Sequence, residues 1–260
     1  AHNTNLTISG GEIGQDVFGG ISSSETKGEL TEANLTISGG EFAGNFSNSD
    51  AGAAVFGAGY VYGTGSDADA AQYKVTGTST VAVGADVTGA VYGGGFVCQN
   101  GFAEIAKTVI TVTAGTVERV FGGGWAQTSG VSQVNSAEIT VSGGKVGFIY
   151  AGGGNGEFGS SNTGDVTIAI SGSGSADYVF LGGKYNNSAV ASATLTLSGD
   201  AKEMIRISGY NGCGVDKTAG ETQVFIDTDV TLDYLDYVDR LVIGDANFPA
   251  ESMGKNCIVL

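Results

Sequence analysis

Two glutamates are the first residues in this chain whose type and spacing suggest chemistry. Glu12 and Glu41 each stand four residues past an apolar–polar–apolar triplet, Leu6-Thr7-Ile8 and Leu35-Thr36-Ile37. If the triplets are copies of one structural position, the two carboxylates lie about one strand spacing apart. Glycoside hydrolysis uses two carboxylates roughly 5–10 Å apart, one of them as general acid. The pair is therefore the catalytic candidate, in an enzyme that cleaves acidic or neutral polysaccharide as a glycoside hydrolase or lyase. A lyase acting on uronates also needs a cation to neutralise its substrate. The arginines are Arg119, Arg206 and Arg240, and the first two fall in strand-like runs. The plainer reading of Glu12 and Glu41 is two solvated surface side chains. It is preferred here, and the chain is read as non-enzymatic.

The second constellation is aromatic. Thirteen residues past the second apolar residue of a triplet stand Ile21, Phe96, Trp125 and Tyr210. Tyr60 follows the glycine corner Gly57-Ala58-Gly59, and Tyr185 comes two residues late. Tyr60, Phe96, Trp125, Tyr185 and Tyr210 are the candidate ligand-binding residues. Exposed along one edge, such rings stack on sugar rings; buried, they are core packing.

Other chemistries are excluded. His2 is the one histidine, so Ser-His and Cys-His nucleophile pairs are absent and so are histidine-based zinc sites. Gly93-Gly94-Gly95 opens no helix and carries no following Lys-Ser/Thr, so it is not a phosphate loop. A net charge of −16 with 11 basic residues offers no Lys/Arg cluster for phosphates, which excludes nucleic acid and direct docking on anionic lipid. No run of apolar residues is long enough to span a bilayer as a helix. Cys98 and Cys213 fall four repeats apart, about 19 Å at one strand spacing per repeat, too far for a disulfide. Pairing of Cys213 with Cys257 stays open.

The elements that must position these residues come from a repeat. Triplets recur at Leu6-Thr7-Ile8, Leu35-Thr36-Ile37, Val81-Ala82-Val83, Ile110-Thr111-Val112, Ile139-Thr140-Val141, Ile168-Ala169-Ile170, Leu195-Thr196-Leu197 and Val224-Phe225-Ile226. The steps between their last residues are 29, 46, 29, 29, 29, 27 and 29. Alternation within each triplet is the period of a half-buried strand. A second strand follows about ten residues later, as in Val17-Phe18-Gly19-Gly20 and Val120-Phe121-Gly122-Gly123. Nothing shows a helical period over ten residues. A fixed period of this size, with short strands, glycines at the corners and 46 glycines in all, predicts an all-β, right-handed parallel β-helix of about eight coils. Propeller blades need longer repeats, and sandwiches need no repeat. Thr7, Thr36, Thr111, Thr140 and Thr196 should form one outward row. Its interruption by Ala82, Ala169 and Phe225 argues against an ice-binding array.

The coils should occupy residues 1–226, with the long step absorbed as an insertion loop within 45–77. Residues 227–260 are acidic and poor in glycine. They read as a C-terminal coil or cap closing the open end of the column. Asp227, Asp229, Asp233, Asp236, Asp239 and Asp245 also raise a weaker Ca²⁺ reading, although no Asp-x-Asp-x-Asp-Gly loop is present. Ala1-His2 reads as a cloning remnant, so coils or domains are expected upstream.

Segments such as Ala137-Glu138-Ile139-Thr140-Val141-Ser142-Gly143-Gly144-Lys145-Val146, running into Tyr150-Ala151-Gly152-Gly153-Gly154, resemble bacterial surface-exposed right-handed β-helix proteins of the adhesin and autotransporter-passenger kind. The resemblance covers roughly residues 3–245. It implies an extracellular or bacterial cell-surface location and a host-cell or glycan partner. The expected function is a secreted or surface adhesion and display module. It would bind through loops, chiefly the insertion with Tyr60, Tyr62, Asp67 and Asp69, and through the aromatic edge. The alternatives are the polysaccharide-cleaving enzyme and a purely structural spacer.

Overall fold

The computed structural model describes residues 2–24, 27–42, 54–63, 72–156, 158–200, 205–212 and 219–244. The described residues are all-β and form a parallel β-helix of about seven turns with a period near 29 residues. Three parallel sheets run along it. The longest stacks Asn3–Ile13, Glu32–Phe42, Gln72–Val83, Phe102–Val112, Val131–Val141, Ser160–Ile170, Val190–Ser198, Ala219–Asp227 and Arg240–Ile243. Lys27–Leu30 pairs beside it with Gln72–Val75. The second sheet stacks Val17–Phe18, Val55–Phe56, Val87–Tyr92, Thr116–Phe121, Lys145–Tyr150, Ser175–Phe180, Ile205–Ser208 and Leu232–Asp236. The third is shorter: Ser22–Ser24, Tyr60–Tyr62, Phe96–Cys98, Trp125–Gln127 and Gly154–Asn155.

Register follows the sequence repeat. Leu35, Val81, Ile110, Ile139, Ile168, Leu195 and Val224 sit one above another, as do Ile37, Val83, Val112, Val141, Ile170, Leu197 and Ile226. Both columns are buried. Residues between them point outward: Thr7 lies beside Thr36, then Thr111 beside Thr140, with Ala82, Ala169 and Thr196 in the same row. At the ends the columns meet solvent at Leu6 and Ile243. Interior hydroxyls of Ser79 and Thr108 donate to the corner carbonyls of Gly93 and Gly122, both at 2.7 Å. These bonds satisfy polar groups that water cannot reach.

The long step divides in two. Val17 pairs with Val55, yet Val17 lies 9 residues past Ile8 and Val55 lies 18 past Ile37. Cys98 pairs with Tyr62 and Ala103 with Tyr73, yet the first interval is 5 residues and the second 11. Extra residues therefore enter on both sides of 54–63, instead of as one loop. Tyr60 and Tyr62 belong to a strand of the third sheet; Asp67 and Asp69 lie outside the described residues.

The tail continues the stack. Leu232–Asp236 pairs with Ile205–Ser208, and Arg240–Ile243 pairs with Ala219–Asp227. Asp239 clasps the last turn: its carboxylate accepts from the Thr222 amide at 2.8 Å and the Thr222 hydroxyl at 2.9 Å. Asp245 and Pro249 lie outside the described residues. Among the described residues no helix is long and apolar enough to cross a membrane.

Outside the second sheet runs a stack of rings. Val17, Val55, Val91, Val120, Ile149, Val179 and Ile207 point into the core. Alternation therefore turns their successors outward. Phe18, Phe56, Tyr92, Phe121, Tyr150 and Phe180 stack with centroids 5.1, 4.8, 4.4, 4.6 and 5.2 Å apart and planes within 12° of parallel. Replacing Phe121 by Ala removes two stacking partners from the middle of this column, and a loss of about 3–5 kcal/mol is expected. Thr140→Ala, on the outer row, should stay within about 0.5 kcal/mol. Chemical denaturation measures both. Hydrogen exchange should show the Phe121→Ala loss concentrated in the turns that touch it.

Candidate functional site

The second and third sheets meet at a corner whose outer side is filled by aromatic rings. In the third sheet Val61 and Val97 join the core and Ala126, buried, pairs in register with Val97, so Tyr60, Phe96 and Trp125 face this corner. Tyr60 pairs in register with Phe96, and Phe96 with Trp125. The next partner towards the N-terminus is Ser22, not Ile21. Phe96 stacks on Tyr60 at 5.3 Å and meets Phe56 edge-on at 5.7 Å. Trp125 meets Tyr92 edge-on at 6.1 Å and Tyr185 at 6.2 Å. Its indole occupies the space above Gly154, where an added Cβ would lie 2.6 Å from the ring. Phe96 and Trp125 are each 3% exposed, while Tyr60 and Tyr185 are half-buried. Lys184 holds its ammonium 5.0 Å from the Tyr185 ring.

Cys98 sits in the same cluster with a free, buried thiol. Its sulfur lies 3.6 Å from the Tyr60 hydroxyl and 3.7 Å from the Val61 carbonyl. Burial pushes the thiol pKa up, and the Tyr60 hydroxyl pulls it partway back. Burial also raises the Tyr60 phenol, and the Cys98 contact adds to that. A thiol of this kind is a poor nucleophile. Cys213 and Cys257 lie outside the described residues.

Glu12 and Glu41 face each other in register on adjacent strands, both exposed on the outer side of the long sheet. Among the described residues no three of His, Cys, Asp and Glu gather as a metal site.

Tyr210 lies outside the corner that holds Tyr60, Phe96, Trp125 and Tyr185, and a cavity opens there. The ring column ends at Phe180. The next two positions in register are Ser208 and Asp236. Two absent rings leave a groove of about 700 Å³. One wall is the row two residues earlier along the same strands, Tyr178, Arg206 and Tyr234. The other wall is Tyr210 against Tyr237, with centroids 3.5 Å apart. Phe180 closes one end.

Charge in the groove is unevenly paired. The Arg206 guanidinium hydrogen-bonds Asp233 through Nε and donates to the Tyr178 hydroxyl at 2.9 Å. It also lies 5.2 Å from the Tyr178 ring centroid. Asp236 is 8% exposed, and its Oδ1 accepts no hydrogen bond. Tyr237, the next residue, has φ of +51°, a left-handed conformation that costs a bulky residue on the order of 1–2 kcal/mol. An added Cβ on Gly209 would lie 1.8 Å from the Tyr237 carbonyl oxygen, so the strained corner also requires glycine below it. Backbone strain of this sort clusters at ligand-binding positions.

Of the sequence candidates, Tyr60, Phe96, Trp125 and Tyr185 share the ring-filled corner, and Tyr210 alone lines the groove. The sequence does not single out Tyr178, Tyr234 and Tyr237, and it raises Asp233 and Asp236 only in the weaker Ca²⁺ reading and Arg206 only as a possible substrate-neutralising cation. The usable signal was the break in the Val-Phe pattern at Ile207-Ser208 and Leu235-Asp236.

No family model, curated protein or solved structure matches the chain.

Two measurements check the corner. Trp125→Ala should cost about 3–5 kcal/mol, and the native emission of this single tryptophan should be blue-shifted and resist iodide quenching. Peptide-resolved alkylation should leave Cys98 unmodified at mildly alkaline pH until the protein is unfolded; ready labelling in the native state would contradict its burial.

Proposed function

We propose that the chain is a non-enzymatic adhesion or display module that binds carbohydrate in the groove where its ring column ends. The observation that carries this reading is the groove itself. It is concave, walled by tyrosine rings, and provided with a few charged groups that fix orientation, which is the general form of a small-ligand site. A pyranose presents an apolar C–H face to a tyrosine ring and hydroxyls to carboxylate and guanidinium groups. The stacked β-helix adds a rigid rod that holds the groove at a set distance from whatever anchors it. An extracellular or bacterial cell-surface setting, with a host-cell glycan as partner, is part of the same proposal.

The test is binding of the intact chain to a panel of plant, algal, fungal, bacterial and mucin glycans, read by calorimetry and by assay of new reducing ends. Binding without turnover is expected. Tyr234→Ala and Tyr210→Ala should each weaken it about tenfold, near 1.4 kcal/mol, with the fold intact by circular dichroism. No binding across the panel would leave a structural spacer. New reducing ends abolished by Glu41→Gln would make the chain an enzyme that uses the Glu12–Glu41 pair.

A further inference from the structure

The groove carries more information than a place for a sugar ring. Its formal charges are Arg206, Asp233 and Asp236, a sum of +1 and −2, or −1. Arg206 and Asp233 hold each other in an ion pair at the mouth, where both are exposed. Asp236 is left on the floor without an opposite charge of its own among the groove's lining residues. More than nine-tenths of this residue is buried, and Oδ1 has no donor. A carboxylate oxygen withdrawn from water with no hydrogen bond is a costly arrangement, relieved when a ligand supplies a donor. A cationic donor relieves it further, because it also neutralises the charge.

Three features narrow the ligand. The walls are rings, Tyr178, Tyr210, Tyr234 and Tyr237, which favour a flat apolar face and also attract cations. The floor is a single anionic acceptor. The surrounding chain carries a net charge of −16, a field that repels uronates, sialic acids and sulfated sugars and concentrates cations. A ligand that answers all three has a saturated ring to lie against tyrosine and a primary ammonium to reach Asp236. We infer that the groove selects basic amino sugars, glucosamine-type units whose amine is free, with the ammonium donating to the Asp236 carboxylate and the pyranose face on Tyr234. This rests on the carbohydrate reading above and specifies its ligand.

The placement follows from the fold. Asp236 occupies the ring column's position, two places beyond Phe180 along the register. A ligand ring that enters the gap above Asp236 takes the space the missing side-chain rings would have filled. The acetamido form of the same sugar presents a neutral N–H and an acetyl group to the buried carboxylate, and forgoes the charge pairing.

The experiment titrates the intact chain with four tetrasaccharides by calorimetry: the β-1,4 glucosamine oligomer, its fully N-acetylated counterpart, the β-1,4 glucose oligomer and a galacturonate oligomer. Spermidine serves as a ringless polyamine control. The free-amine oligomer should bind at least tenfold more tightly than any of the others. Its advantage should shrink as pH rises through the amine's own pKa. Asp236→Asn should erase that advantage while leaving the melting temperature unchanged or raised, because it removes an unpaired buried charge. Tyr234→Ala should weaken binding with Asp236 intact. Equal or tighter binding of the acetylated or glucose oligomer, or an advantage that survives Asp236→Asn, would overturn the amino-sugar assignment and leave the carbohydrate reading standing. Spermidine binding as tightly as the free-amine oligomer would likewise overturn it, by removing the role of the ring. Failure of all four oligomers and of the whole glycan panel would remove both.

Discussion

Every feature of this molecule depends on the hydrogen-bonded register between successive turns. Parallel pairing places each residue about 4.8 Å from its counterpart one turn away, for as long as the period holds. A residue type repeated in sequence therefore becomes a column in space. Apolar residues give two buried columns behind the long sheet. The outward residues of the second sheet give a column of six rings spaced 4.4 to 5.2 Å. Those five ring contacts, at about 0.5–1.5 kcal/mol each beyond their area burial, contribute several kcal/mol. They do so only because the backbone sets their spacing. The same constraint fixes the corners. Gly115, Gly144, Gly172 and Gly199 all have positive φ at the turn after the long sheet, a conformation glycine adopts without steric cost.

A lattice of columns also determines what a local substitution does. Where Phe180 is followed in register by Ser208 and Asp236, the backbone keeps its path and the side-chain space empties. The groove is thus made by deletion of rings from a stack that remains otherwise continuous, with no added loop. Its walls are ordinary strand residues of the second sheet and its corner, positioned by the same register as the core. This differs from the usual arrangement in which binding residues ride on loops above a scaffold. Rigid strand positions hold Tyr178, Arg206 and Tyr234 one strand spacing apart, so the wall is set by the register.

The architecture was legible because a 29-residue period is a direct statement about stacking. The triplets identified the long sheet, its inward columns and its outward threonine row, and the glycine corners marked where the chain turns. The Val-Phe pairs were legible as a second strand, but alternation alone does not say which member meets solvent. Here the outward member is buried as well at Phe56, Tyr92, Phe121 and Tyr150, because rings of neighbouring turns and of the third sheet cover it. Burial of Phe96 and Trp125 was open for the same reason. A residue at a corner can face either way, and only the two-sheet angle decides. Asp236 and Tyr234 were hidden by composition: an acidic, glycine-poor stretch reads as a cap, and its aspartates as part of that cap or, more weakly, as a Ca²⁺ site. Alignment of Leu235-Asp236 with Val179-Phe180 in register recovers the site, since a carboxylate then appears where six earlier turns carry a ring.

The position of the groove after the last ring of the column, and not within it, accords with how a solenoid distributes energy. Each turn is stabilised by its own contacts and by its two neighbours, so the consequence of an unfavourable residue stays local. A buried carboxylate and a left-handed tyrosine in the middle of the ring column would remove stacking from both directions at once. After Phe180 they remove it from one side only. The clasp between Asp239 and Thr222, three bonds between 2.8 and 3.0 Å, secures the backbone immediately beyond them. The buried carboxylate of Asp236 and the left-handed Tyr237 are thereby held between the ring column and a hydrogen-bonded turn. That support holds open a polar-floored groove beside a ring column that is continuous from Phe18 to Phe180.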